Sequence, residues 1–321
     1  MSAAVLVAAA LSIFPSVSDA VARIGSPPQP ASSATALTES ALAVWEGGAW
    51  RSWWSSSAAP HRWTAPHATV ARAVAWRTAQ PGLEVGVARF AGANRLSRFN
   101  VALLRFDPAQ LSLRLGMKRS PSGRTLPWGL ADISADAAFA LNAGMFDSVG
   151  PWGWLVLDGA ERQAPGVGPL SSAVVVDSAG VVRIVAAPGI AATRASRVAR
   201  WAVQSYPTAL AGGVVPHQLR IGGAGVDREH RDTRLAIAVL HDGRVLVALT
   251  RFDGLGGALG AFPLGPTLPE MTAVLGALGA RDAVFLDGGL SAQMAVRHAD
   301  AQIERWDGMR RVPLWFAGFR R

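Results

Sequence analysis

An α+β domain with mixed or antiparallel sheets and a few packed helices is the fold this sequence predicts. Three observations carry that prediction. Short apolar runs recur from residue 76 onward, turn residues separate them at hairpin spacing, and one segment alone has a full helical signature. Helices do not alternate with strands, so a doubly wound parallel sheet is excluded.

Leu83–Phe90 alternates apolar with other residues, and Val101–Phe106 and Leu111–Leu115 follow, separated by Asp107-Pro108. Ala131–Ala138 reads as a short helix leading into a strand at Ala138–Leu141. Further apolar runs lie at Trp154–Leu157, Ala173–Val176, Val181–Val185, Leu235–Leu240 and Val245–Leu249. Asp177-Ser178-Ala179-Gly180 and His241-Asp242-Gly243-Arg244 sit between pairs of these runs, as hairpin turns do. Leu268–Leu278 is the clear helix. Thr267 and Glu270 have the spacing of a capping box, Pro269 is tolerated in the first turn, and Gly279 ends it. Ala283–Leu286 is then a short buried strand.

Composition narrows the function classes. The 321 residues are half apolar and only 17% charged, enough to bury a full core. The net charge of +9 is carried almost wholly by scattered Arg, with no nucleic-acid-binding motif, so an anionic substrate or surface suits it better than nucleic acid. No cysteine is present, which excludes disulfides and thiolate metal sites. Residues 1–22 read as a signal peptide or apolar N-terminal segment. An apolar run spans Ala3–Phe14, Pro15 breaks it, and Ala20-Val21-Ala22 offers a small-x-small cleavage site, although no positive charge precedes the run. The run is too short for an ordinary membrane span, so the expected location is secreted, periplasmic or cell-envelope. Residues 23–75 read as a Pro/Ser/Trp-rich linker, with one short helix around Thr35–Trp45. Its five tryptophans either pack on the main domain or a partner, or form a sugar-stacking platform. Residues 76–321 form the single folded domain.

Two segments carry candidate chemistry. In the first, an apolar strand delivers Asn142 at its end, Gly144 permits close backbone approach, and Asp147 follows in the loop. Spacing alone fits a site on a sheet edge and an Asx-stabilised turn equally well. In the second, the apolar run Ala283–Leu286 ends at Asp287, and Gly288, Gly289 and Ser291 follow. A turn needs at most one glycine and no serine, and an apolar wall raises a carboxyl pKa toward acid–base use. The nucleophile-elbow, HExxH, Walker and complete GxGxxG motifs are absent, and no two of the six histidines stand at i, i+4.

At these segments the chain resembles the phosphodiester glycosidase family. Asn142-Ala143-Gly144-Met145-Phe146-Asp147 and Pro151-Trp152-Gly153 match the family's first two motifs, and Gln204-Ser205-Tyr206-Pro207 the third. Arg234 precedes the strand Leu235–Val239 as the family's Arg does, and Gly265–Glu270 leads through the helix into Leu286-Asp287-Gly288-Gly289-Leu290-Ser291. The resemblance covers residues 80–320. Leu290 stands where the family often has a third Gly, which narrows the room above the loop.

The resemblance implies cleavage of a sugar-1-phosphodiester bond in an envelope or extracellular glycan. It implies Asp287 as general base or nucleophile, Arg234 on the phosphate, and Asn142 and Gln204 orienting sugar hydroxyls or phosphate oxygens. Gly144, Gly288, Gly289 and Ser291 would line the substrate, with Asp147 as a second carboxylate. No cofactor is expected, and no ligand set demands a metal, though a divalent cation would fit beside the phosphate. The competing readings are a non-catalytic module binding anionic envelope polysaccharide and an exopolysaccharide-processing glycoside hydrolase. The sequence carries no indication of oligomeric state.

Overall fold

The structure is a computed structural model that describes residues 40–92, 97–148, 150–222, 226–253 and 264–321. The apolar N-terminal segment and the glycine-rich stretch 254–260 lie outside the described residues.

The chain opens with the hairpin β1 (Ala41–Glu46) and β2 (Ala49–Ser55), followed by helix α1 (Ala68–Ala73). Next come β3 (Ala75–Gln80), β4 (Leu83–Gly92), β5 (Arg98–Phe106), β6 (Leu111–Gly116) and the two-residue strands β7 (Lys118–Arg119) and β8 (Thr125–Leu126). The middle of the chain is β9 (Ala137–Asn142), β10 (Leu155–Leu157), β11 (Ala160–Gln163), β12 (Ser172–Asp177) and β13 (Val182–Ala186). Helix α2 (Ala187–Ser196), β14 (Ala199–Ser205), β15 (Thr208–Leu210) and helix α3 (His217–Ile221) follow. The last part is β16 (Leu235–Leu240), β17 (Val245–Phe252), helix α4 (Leu268–Ala277), β18 (Ala280–Phe285), β19 (Met294–Arg297), β20 (Ile303–Trp306) and β21 (Trp315–Arg320).

Nine strands form the central sheet, in the order β15-β18-β16-β17-β5-β4-β1-β2, with β3 also paired to β4. Two five-stranded sheets, β11-β10-β14-β12-β13 and β20-β19-β9-β21-β6, complete the framework. Every strand pair that builds these sheets is antiparallel. The two hairpin turns expected at 177–180 and 241–244 join β12 to β13 and β16 to β17. The balance differs from an even α+β division: among the described residues the fold is mostly β, with four short helices.

Period-2 alternation divides the central sheet between two cores. Val85, Leu104, Ile237, Val247 and Val284 face one core, which also takes Leu113, Phe139, Leu155 and Val174 from the smaller sheets. Phe90, Val101, Ala236, Ala238, Ala248 and Phe285 face the other, against Val70 of α1 and Met271, Val274 and Leu275 of α4. β16 and β17 are covered on both faces, so they read as apolar runs rather than alternating strands.

The second core corrects the reading of residues 23–75 over their described part. Residues 41–55 are not a linker: β1 pairs with both β2 and β4 and extends the central sheet. The helix expected around Thr35–Trp45 is also corrected over its described part, since Ala41–Glu46 is a strand that buries Leu42 and Val44. Trp54 and Trp63 are core residues, and Trp53 lies against Trp63, His67 and Phe90. These three tryptophans are used in packing, which answers the sugar-platform alternative for them. The helix expected at Ala131–Ala138 shrinks to a single 3-10 turn at Leu130–Asp132.

Candidate active site

The expected motifs converge where strand ends meet. β9 ends at Asn142, β18 runs out through Leu286 to Asp287, and residues 232–234 lead into β16 beside them. Leu286 N donates to Leu235 O at 2.9 Å and Gly289 N to Thr233 O at 2.8 Å. A Cβ on Gly288 would lie 2.5 Å from Thr233 O, so only glycine lets the two chains run this close. Gly289 adopts φ +55°, which turns the chain into the 3-10 turn Gly289–Ser291.

Asn142 is fully buried. Its Nδ2 donates to Asp287 O at 2.7 Å, and its Oδ1 accepts from Gln293 N at 2.8 Å. Asp287 N in turn donates to Ala143 O at 3.3 Å. Asn142 therefore holds the Asp287 loop to the end of β9. Gln204 is buried as well, and all four of its side-chain hydrogen-bonding positions are filled. Oε1 accepts from Trp154 N and Gly166 N, and Nε2 donates to Gly166 O and Ser171 Oγ. The substrate-orienting role expected of Gln204 is thus corrected to a structural one, since no capacity is left for a sugar or phosphate. Gly144 belongs to the same framework, because a Cβ there would lie 2.7 Å from Val203 and 2.9 Å from Gln204 O.

Asp287 is the chemically unusual group. Its Oδ2 is buried without a hydrogen-bond partner. Burial pushes its pKa up to about 7, and the nearby Asp232 charge adds to the rise. The Ser291 hydroxyl, which hydrogen-bonds the carboxylate, and the Arg310 cation oppose that rise. Arg310 is exposed and stacks over the Phe146 ring, 4.8 Å from its centroid.

Asp232 is the carboxylate next to this loop, and the sequence reading missed it. A Cβ on Gly289 would lie 3.1 Å from Asp232 Oδ2. Asp232 Oδ1 accepts from Thr233 N at 2.8 Å, and His230 Nε2 lies 3.8 Å from Oδ2. Burial raises its pKa, countered by Arg234, the Thr233 N–H and His230. Asp147, expected in the role of second carboxylate, is not among the charges that act on Asp287. It closes its own turn by accepting from Gly150 N at 3.0 Å, the Asx alternative. It also lines a separate cavity of ≈ 370 Å³ with Arg119, Trp152 and Arg162.

Arg234 is half-buried and largely committed to backbone. Its Nε donates to Pro266 O at 3.2 Å, and one Nη donates to His230 O. The neighbouring Arg231 pairs with both oxygens of Glu270 at 2.8 Å, and Glu270 also completes the Thr267 capping box. Both arginines thus fasten the Asp232 segment to the N-terminus of α4. Arg251 does similar work on the other side, donating to Ala292 O, Trp306 O and Asp307 O, and burial lowers its pKa to about 10. Among the described residues no group of three or more His, Asp or Glu side chains is placed to hold a metal ion. None of the described helices is long and apolar enough to cross a membrane.

A strand-end carboxylate held near neutrality, beside a second carboxylate and an exposed arginine, is the kind of arrangement glycoside-cleaving hydrolases use. The chain belongs to the phosphodiester glycosidase family, whose family model matches residues 135–316. The fold is similar to the catalytic domain of zebrafish N-acetylglucosamine-1-phosphodiester alpha-N-acetylglucosaminidase, auto-inhibited by its pro-peptide. That match has TM-score 0.58 and 14% identity, and covers 82% of this chain and 96% of that one. It is also similar to a hypothetical protein from Synechocystis, with TM-score 0.55 and 17% identity over 77% of this chain. The match spans 64% of the Synechocystis chain. No curated protein matches the sequence.

Proposed function

We propose that this chain is a hydrolase that cleaves a sugar-1-phosphodiester bond in an envelope or extracellular glycan, with Asp287 as general base. The observation that carries this reading is Asp287 itself, whose Oδ2 is buried without a partner and whose pKa is about 7. A base with that pKa is half-ionised at neutral pH and suited to taking a proton from water. The leaving group in a sugar-1-phosphodiester is a phosphate ester, which departs with little protonation, so the site needs a base more than an acid. Arg310 is the cation placed for the phosphate, since it is exposed and acts on Asp287 while Arg234 is tied to carbonyls. Ser291 holds the Asp287 carboxylate in place from the same turn. Leu290 sits at the rim, 42% exposed, and its carbonyl accepts from Met309 N and Arg310 N. It therefore sets the position of the segment carrying Arg310.

The test uses a sugar-1-phosphate alkyl diester and follows release of reducing sugar. Asp287→Asn is expected to stay folded and lose about 10²–10⁴-fold in kcat, the usual contribution of a general base. Full activity in a folded Asp287→Asn protein would sink the reading. Wild-type binding of anionic glycan without turnover would favour a binding module, and cleavage of simple glycosides alone would favour an ordinary glycoside hydrolase.

A further inference from the structure

Asp232 occupies a place that the family motifs do not mark. The segment Asp232–Arg234 lies against Gly288 and Gly289, fixed there by the Gly289 N to Thr233 O hydrogen bond at 2.8 Å. The Asp232 carboxylate stands over Gly289, where even one methyl group would come within 3.1 Å of Oδ2. Of its two oxygens, Oδ1 is used by Thr233 N. The Asp287 carboxylate, whose Oδ2 has no partner, begins the same loop two residues earlier and lies close enough for the Asp232 charge to act on it. Two carboxylates thus share one glycine-floored corner, and the groups around them differ. Asp232 faces His230 and Arg234, and Arg234 also feels Asp227 and Glu270. Asp287 faces Ser291, Arg310 and Asp232.

We infer that Asp232 is the second catalytic carboxylate of this site, meeting the bound sugar beside Asp287. This rests on the phosphodiester-cleaving role proposed above. When a pair of carboxyl groups sits in unequal surroundings, their pKa values are pushed apart and their roles divide. Burial raises the Asp232 pKa and Arg234 opposes that rise; in its ionised form Asp232 stabilises the positive charge that develops on the anomeric carbon and ring oxygen. Asp287 takes a proton from water, and the water oxygen bonds to the anomeric carbon. The bond from that carbon to the phosphate oxygen breaks, and its electron pair leaves with the phosphate monoester. The products are the free sugar and the phosphate monoester, and Asp287 returns its proton to solvent.

The experiment is a pH–rate profile of wild type and Asp232→Asn on the same sugar-1-phosphate diester. Wild-type activity should rise with pH through about 7 as Asp287 ionises. The Asn variant should lose at least about 100-fold in kcat with a much smaller change in KM. Its rising limb should also move to lower pH, because the negative charge that helps keep the proton on Asp287 is gone. If the Asn variant does not fold, Asp232→Ser assayed with and without added formate replaces it, and formate should restore part of the rate. Unchanged kcat, an unmoved limb, or a folded Ser variant indifferent to formate would each overturn the role of Asp232 alone. A wild-type protein that cleaves no sugar-1-phosphodiester overturns the proposed function instead, and this inference with it.

Discussion

Asp287 is held where its charge is least welcome, and that has a consequence for stability. Its carboxyl is raised from an ordinary value of 3.8 to about 7 in the folded chain. Between those values the folded state holds a proton that the unfolded state has released. Stability contributed by the protonated carboxyl is complete below the unfolded pKa and is lost as pH rises through 7. Asp287→Asn removes the titration. At pH 8 the variant should therefore melt higher than wild type, with a gain of at most a few kcal/mol. At pH 4 the difference should shrink toward zero. Paired thermal melts at the two pH values check this, and an equal difference at both would show that Asp287 is not perturbed in this direction. The same residue shows what the sequence discloses and what it conceals. A carboxylate at the end of an apolar run, followed by two glycines, is visible in one dimension. Asp232 is not, because its place depends on Thr233 meeting Gly289 after β16, β17, α4 and β18 have intervened. Asn142 and Gln204 are intermediate: their motifs mark them, but only their partner atoms show that both face inward.

Helix α4 is the element whose ends were legible and whose face was not. Thr267 and Glu270 form the expected capping box, and Pro269 stands in the first turn. Its seat against the Trp-bearing segment was hidden, because that segment has no helical or strand period to announce its partner. Gly276 marks the seat. A Cβ there would collide with Cγ and Cδ1 of Trp63. Propensity alone favours Gly276→Ala by up to about 1 kcal/mol. Overpacking a buried ring typically costs about 1–3 kcal/mol, so the clash should win and the variant should be less stable than wild type. Urea denaturation reads the sign directly, and a stabilised variant would mean that Trp63 does not rest on this helix. Helices α1 and α2 escaped the sequence reading for a related reason. Each buries a single side chain, Val70 and Ile190, so neither has an apolar stripe for the period to reveal.

At the scale of the whole molecule, the central sheet can be sealed only from both faces. The two five-stranded sheets cover one face. The other depends on α4 together with residues from 41 to 74, which supply Leu42, Val44, Trp54, Trp63, Val70 and Val74 to the same core. Hydrogen bonds tie that segment in along its length: Trp63 N donates to Gly213 O at 2.8 Å, and His67 N to Ala277 O at 2.9 Å. The family motifs begin well after this segment, which is why composition alone made it look detachable. A chain starting at residue 76 would keep every motif residue yet expose Phe90, Val101 and the apolar face of α4, and it would leave β4 with an open edge toward β1. Losing even one buried tryptophan typically costs about 3–5 kcal/mol, against a total stability of about 5–15 kcal/mol for a typical domain. Losing two of them together with a hairpin should exceed what the remainder can offset. The truncated chain is therefore expected to lose cooperative unfolding and to aggregate, in contrast to the full chain. Circular dichroism melts and size-exclusion chromatography of the truncated and full chains decide the point. A soluble, cooperatively folding chain from residue 76 would show that the second core is closed without the tryptophan segment.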